Sequence, residues 1–128
     1  MENLKIEYIS LAVIKQYAKN AKTHSDEQIR QIANSIKEFG FNNPQLVDEN
    51  GEIIAGHGRF SAAQLLGLET VPVIQLSHLT EAQRRAYRLA DNKIAENGGW
   101  DLEILKMEIS ELEVICDFDI QLTGFDSI

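Results

Sequence analysis

Four consecutive residues, Gly56-His57-Gly58-Arg59, combine the backbone freedom and the side-chain chemistry of an anion site. Glycine at 56 and 58 lets the chain turn sharply and brings its amides close to whatever lies above the turn. Arg59 supplies a planar donor fork matched to phosphate. His57 is either a phosphate donor and general acid or base near neutral pH, or a local cap on the turn. Glu52-Ile53-Ile54-Ala55 before the turn has the composition of a strand, and the alanine- and leucine-rich run after it predicts a helix over 59–66. Strand, glycine turn and helix N-terminus in that order aim free N–H groups and the positive end of a helix dipole at one point. The plainer alternative is a tight strand-to-helix turn with a surface arginine.

Other residues with chemical potential are scattered. Glu38, near the end of a predicted helix, is a base or magnesium ligand if the fold carries it to the turn, and a solvated carboxylate otherwise. Asn42, Asn43 and Gln45 either line a nucleotide site or serve ordinary turn chemistry. Arg84, Arg85 and Arg88 span just over one helical turn and form either a nucleic-acid or partner patch or a solvated face. His24, His57 and His78 are isolated from one another, with no paired spacing of the zinc type, so no metal site is expected. The lone cysteine, Cys116, excludes an internal disulfide and is expected to be a structural or semi-exposed thiol.

The elements that must position these groups are marked by their ends. Leu4–Tyr8 alternates apolar and polar residues as a half-buried strand does; Ile9–Lys22 then loses clear periodicity, and its second half, ending in the polar run to His24, reads as loop. Ser25-Asp26-Glu27-Gln28 is a capping box for a helix over 26–39, which Gly40 stops. Gln45–Asp48 and Glu52–Ala55 are strands joined by the hairpin dipeptide Asn50-Gly51, where both residues tolerate positive φ. Val71–Leu76 is a further strand, with Pro72 marking a start or an edge. Thr80-Glu81-Ala82-Gln83 is a second capping box, opening a helix over 81–95 with Ala82, Ala86, Leu89, Ala90 and Ile94 inward. Asp101 caps a last helix, with Trp100 and Leu105 as a staple. Residues 117–128 are acidic and resemble a linker or docking tail.

With 128 residues, 44% apolar and 25% charged, the chain has the size and composition of one soluble globular domain. It has no apolar run long enough to span a membrane and no secretory leader, which makes the cytoplasm the expected location and no membrane partner expected. The net charge of −8 opposes non-specific attraction to polyphosphates, although Arg84, Arg85, Arg88 and Lys93 concentrate positive charge in one segment.

Taken together, Thr23-His24-Ser25-Asp26-Glu27-Gln28, Ser35–Phe41, Asn43-Pro44, Ile53–Arg59 and Leu79–Ala86 resemble the ParB-like N-terminal domain, most closely the branch preceding phage and prophage DNA methyltransferases. The resemblance runs from about Leu4 to the C-terminus. It implies an α/β (mixed α+β) ParB/sulfiredoxin fold: a small mixed sheet with flanking helices, a phosphate-binding turn and a helical C-terminal segment. The domain division it implies is a core over 1–78, a helical extension over 79–116 and a tail over 117–128. The implied ligand is a nucleoside triphosphate, CTP or ATP, with Mg2+, held by Gly56, His57, Gly58, Arg59, Asn43 and Gln45. The implied partners are DNA, a DNA methyltransferase or other DNA-modifying protein, and a second copy in a homodimer.

The box in partition proteins is similar to G-E-R-R-x-R-A. Gly56, Arg59 and Ala62 match it, while His57, Gly58 and Ser61 replace its glutamate and two of its arginines. That loss argues against tight triphosphate binding of the partition-protein kind, and more strongly against hydrolysis. The sulfiredoxin branch places a nucleophilic cysteine in this turn, and here there is none. Two functions of different class follow: a binding module that regulates or positions a DNA-modifying partner, or a ParB-like nuclease or nucleotide-dependent phosphotransferase acting through His57 or Glu38 with Arg59.

Overall fold

The computed structural model describes residues 3–20 and 22–126. Four strands, β1 (Ile6–Ser10), β2 (Gln45–Val47), β3 (Ile53–Ala55) and β4 (Thr70–Gln75), form one mixed sheet in the order β1-β4-β2-β3. β1 runs antiparallel to β4 and β2 antiparallel to β3, while β4 and β2 are parallel. Four helices accompany it: α1 (Asp26–Phe39), α2 (His57–Leu66), α3 (Glu81–Glu96) and α4 (Leu102–Ser110). Ile14, Val47, Ile53, Phe60, Val71 and Val73 form the buried cluster between α2 and one face of the sheet, so the β3–α2 junction grows directly out of the core.

Local chemistry explains most boundaries. Ser25 Oγ accepts from the Gln28 N–H at 3.1 Å and starts α1, with Asp26 and Glu27 at the positive end of its dipole and Lys37 at the other. Half of the expected capping box is replaced, because the Gln28 side chain turns to His24 Nδ1 at 3.2 Å. The β2–β3 connection is also longer than two residues. Asp48 N–H donates to Glu52 O at 2.9 Å, Asp48 Oδ1 accepts from the N–H groups of Asn50 and Glu52, and among the described loop residues only Gly51 has positive φ. This is the three-residue loop closed by a left-handed glycine.

Pro72 is neither first in its strand nor at an edge, since β4 lies between β1 and β2. The Leu11 N–H to Glu69 O bond sets the antiparallel register so that Tyr8 and Pro72 are a non-hydrogen-bonded pair. The missing N–H therefore faces β2, whose pairing begins one residue later at Val73. No ladder bond is lost.

The inward face of α3 is the reverse of the expected one. Its capping box forms in full, with Thr80 Oγ1 accepting from Gln83 N–H at 3.2 Å and Gln83 Oε1 from Thr80 N–H at 2.9 Å. Yet Leu89 is 60% and Ile94 68% exposed, Ala82 and Ala86 face solvent and Ala90 is half-buried. The side chain that enters the body is Arg88, 7% exposed. Its Nε donates to Ile53 O at 3.1 Å, its Nη2 meets Glu52 Oε1 at 3.2 Å, and its guanidinium carbon lies 3.6 Å from the centroid of the Tyr17 ring. Carbonyl, carboxylate and aromatic face on the β3 side offer an arginine more than they offer a leucine.

Beyond α3, Ile109 of α4 is buried, whereas Val114, in a π-helical turn over Glu111–Ile115, is 78% exposed. Trp100 packs edge-on against Phe125 with centroids 4.9 Å apart. Phe118 stacks on Phe39 at 6.0 Å, and Ile120 is buried.

Removing a buried, multiply bonded guanidinium strands the groups it satisfied, so Arg88→Ala is expected to cost about 2–4 kcal/mol, against less than about 0.5 kcal/mol for the exposed Arg85→Ala. Urea unfolding of both variants checks this, and equal midpoints would contradict it.

Candidate functional site

Gly56 has φ of 103° and directly precedes α2, so the helix begins at His57, two residues earlier than expected. A Cβ at Gly56 would also lie 3.0 Å from Gln45 Cγ and 3.1 Å from Arg59 Nη2. Gly58, inside the first helical turn, is required for a different reason. A Cβ there would sit 2.8 Å from Ile32 Cδ1 and 3.0 Å from His24 Cε1, so its absence lets α1 close on α2.

The amino end of α2 has no side-chain cap. Phe60 N–H makes the first intrahelical bond, to Gly56 O at 2.9 Å, which leaves the N–H groups of His57, Gly58 and Arg59 without helical partners. They lie at a cleft of about 580 Å³. Its walls are His24 and Gln28 near the start of α1, Asn43 after it, Asp91 and Asn92 of α3, and residues 122–124. Lys22 joins them at the rim. Free amides, a helix dipole, Lys22 and Arg59 make this end of the cleft suited to an anion.

His57 is held as a neutral donor. Its Nε2 accepts from Tyr17 N–H at 3.3 Å, which places the ring proton on Nδ1. Burial, reinforced by the charges of Arg88 and His24, lowers its pKa from 6.5 to about 4. It contributes a hydrogen bond rather than a positive charge, and an acid-base role near neutral pH loses its protonation equilibrium.

Arg59 donates from Nη2 to Pro44 O at 3.3 Å, and its Nε is buried without a partner among the described residues. Burial lowers its pKa, and the charge of Asp91 works in the opposite direction. Gln45 is fully buried and does not line the cleft: its Nε2 donates to Gly56 O at 3.0 Å, so it holds the turn from behind. Its Oε1, like Arg59 Nε, is buried and unpartnered among the described residues.

The expected site residues thus divide. Gly56, His57, Gly58, Arg59 and Asn43 come together at the cleft, Gln45 supports them, and Asn42 is spent capping α1 through Nδ2 to Phe39 O at 2.7 Å. Glu38 is exposed and outside the cleft lining. The expected patch of three arginines is broken up, because Arg88 is buried and Arg84 is engaged with Leu79 O at 3.0 Å and Asp48 at 3.9 Å. Only Arg85 of the three makes no ion pair or side-chain hydrogen bond among the described residues. Cys116 is exposed and away from the cleft. Sequence reasoning missed Lys22, Asp91 and Asn92. The reversed face of α3 was the obstacle for the last two.

Comparison with known proteins gives the same fold and places the chain in a family. Residues 1–93 match the ParB N-terminal domain, and the chain belongs to that family. It is 56% identical over 84 residues to a ParB-like nuclease domain-containing protein, YnaK, of Escherichia coli (strain K12), covering 66% of this chain and 97% of that one. To a probable chromosome 2-partitioning protein ParB of Deinococcus radiodurans it is 37% identical over 92 residues, 70% of this chain but only 30% of that one. Among solved structures it is similar to the C-terminally truncated chromosome-partitioning protein ParB from Caulobacter crescentus complexed with CTP-gamma-S. That TM-score is 0.77 at 20% identity, over 94% of this chain and 69% of that one. Sulfiredoxin from Arabidopsis thaliana gives a TM-score of 0.54 at 23% identity, over 65% of this chain and 96% of that one. The fold is therefore the ParB/sulfiredoxin fold.

A histidine with a depressed pKa leaves the unfolded chain as the stronger proton binder. The stability that His57 contributes is complete above about pH 6.5 and is lost progressively as the pH falls toward about 4. Its ring resonances should titrate by NMR with a midpoint of about 4. The stability difference between wild type and His57→Gln should change over the same window. A midpoint near 6.5 would contradict the buried, accepting Nε2.

Proposed function

We propose that this ParB N-terminal domain is a binding module in which a nucleoside triphosphate occupies the cleft at the amino end of α2, and that it regulates or positions a DNA-modifying partner such as a methyltransferase. The observation that carries the reading is the uncapped helix end at His57–Arg59 opening into a cleft of about 580 Å³, the size of a small-molecule site. The Caulobacter crescentus neighbour, complexed with CTP-gamma-S, supports a cytidine nucleotide as the first ligand to test.

The residues fit the phosphate end of such a ligand. Three amides, Lys22 and Arg59 supply donors and positive charge, and the neutral His57 adds an Nδ1 donor. Asp91 is the cleft carboxylate suited to Mg2+, whose chemistry there would be neutralisation of phosphate charge. With two arginines of the partition-protein box absent, affinity is expected to be modest. DNA is a partner of the complete assembly. The exposed apolar residues Leu102, Ile104 and Met107 of α4 support a protein partner, either a second copy or the DNA-modifying protein.

A nuclease or phosphotransferase reading has less support. Glu38 lies outside the cleft, and among the described residues no three His, Cys, Asp or Glu side chains are grouped to hold a metal.

Calorimetric titration with CTP, ATP and GTP in magnesium tests the proposal. Saturable binding of at least one nucleotide is expected, weakened about tenfold or more in Arg59→Ala, the loss of one charge-assisted phosphate contact. Absence of binding, or equal affinity in the variant, would overturn it.

A further inference from the structure

We infer that the groove between Tyr17, Lys19, Asn20 and Lys22 on one side and α3 on the other is a second anion site, adjoining the cleft and sharing Asn20, Lys22 and Asn92 with it, that holds the phosphate backbone of a nucleic acid. The inference rests on the reading of the chain as a DNA-associated module and assigns the surface that makes the contact. The chain has 12 lysines and arginines against 20 acids, yet five of the 12, Lys19, Lys22, Arg85, Arg88 and Lys93, line one cavity of about 480 Å³ with a single acid, Glu96. Arg88 is committed to Glu52 and Ile53. The other four make no ion pair among the described residues, whereas Arg84 and Arg88 on the same helix do. With one acid in its lining, the groove is a locally positive surface on a chain that is acidic overall.

The groove is also preorganised. Tyr17, on its floor, is pinned by its N–H to His57 and by the guanidinium of Arg88 over its ring. Asn20 and Lys22 bond each other twice, Asn20 Nδ2 to Lys22 O at 3.1 Å and Lys22 N–H to Asn20 Oδ1 at 3.3 Å, which fixes the loop wall. Along α3, Arg85 and Lys93 are about 12 Å apart at 1.5 Å per residue. A single phosphate cannot span that distance; a backbone carrying one charge per ~1.7 Å of duplex axis can.

Anisotropy of a short labelled DNA duplex, titrated with the full chain over a range of salt, tests this. Wild type should bind with a salt-dependent affinity. The double variant Arg85→Ala/Lys93→Ala should lose about tenfold or more and lower the log–log salt slope by about two, near 0.9 per lost contact. Arg85→Lys should keep the slope, and Lys106→Ala on α4 should behave as wild type. The double variant should still bind nucleotide as wild type does, while Arg59→Ala should still bind DNA, so failure of the cleft and failure of the groove appear in different arms. Unchanged DNA affinity in the double variant, no DNA binding by wild type, or competition by polyglutamate as effective as by unlabelled DNA would each overturn the assignment.

Discussion

The guanidinium of Arg88 ties together three pieces of chain that are distant in sequence: the Tyr17 loop, the β3 strand and the third helix. Each contributes to the walls of the cleft, the groove or both. β3 delivers Gly56 to its left-handed turn, the loop carries Lys19 and Lys22, and α3 brings Asp91 and Asn92 to the cleft and Arg85 and Lys93 to the groove. Because the charge is buried, the arrangement holds only while all its partners are present; a half-satisfied guanidinium in this position would be costlier than an apolar residue. The same charge also acts at a distance, helping to keep His57 neutral and so able to accept the Tyr17 N–H.

On that frame the cleft is made by subtraction. Gly56 permits a backbone angle that a side chain would strain, and Gly58 removes the atom that would hold α1 away from α2. What remains is a helix start with its amides uncapped and its flanking polar atoms, Gln45 Oε1 and Arg59 Nε, unpartnered among the described residues. The partition-protein box spends arginines at this turn. Here Gly58 and Ser61 stand in place of two of them and a neutral His57 in place of its glutamate, and in the proposed reading backbone amides, Lys22 and Arg59 carry the recognition.

Much of this was legible in the sequence because local chemistry decides it. Serine and threonine caps start α1 and α3 where expected, a glycine does join strand to helix, although the junction is Gly56 alone because α2 already begins at His57, and the joint motifs identified the fold. The failures have one cause, that periodicity records which residues share a face but not which face has something to pack against. On α3 the apolar stripe predicts an inward face, whereas the body offers a carbonyl and a carboxylate, and the arginine wins. That inversion hid Asp91 and Asn92 and made Arg84 and Arg88 look free. Gln45 was expected to touch ligand; its burial behind Gly56 depends on β2 pairing with both β3 and β4, a long-range arrangement no local window contains.

The central claim is that the amino end of α2 is the ligand-binding element. The most direct measurement is an amide-resolved NMR titration with CTP and magnesium, following the N–H resonances of His57, Gly58 and Arg59. The account predicts that these three shift most and saturate together, as donors newly engaged by phosphate do. Saturable shifts confined to other parts of the chain, with these three unmoved, would contradict it.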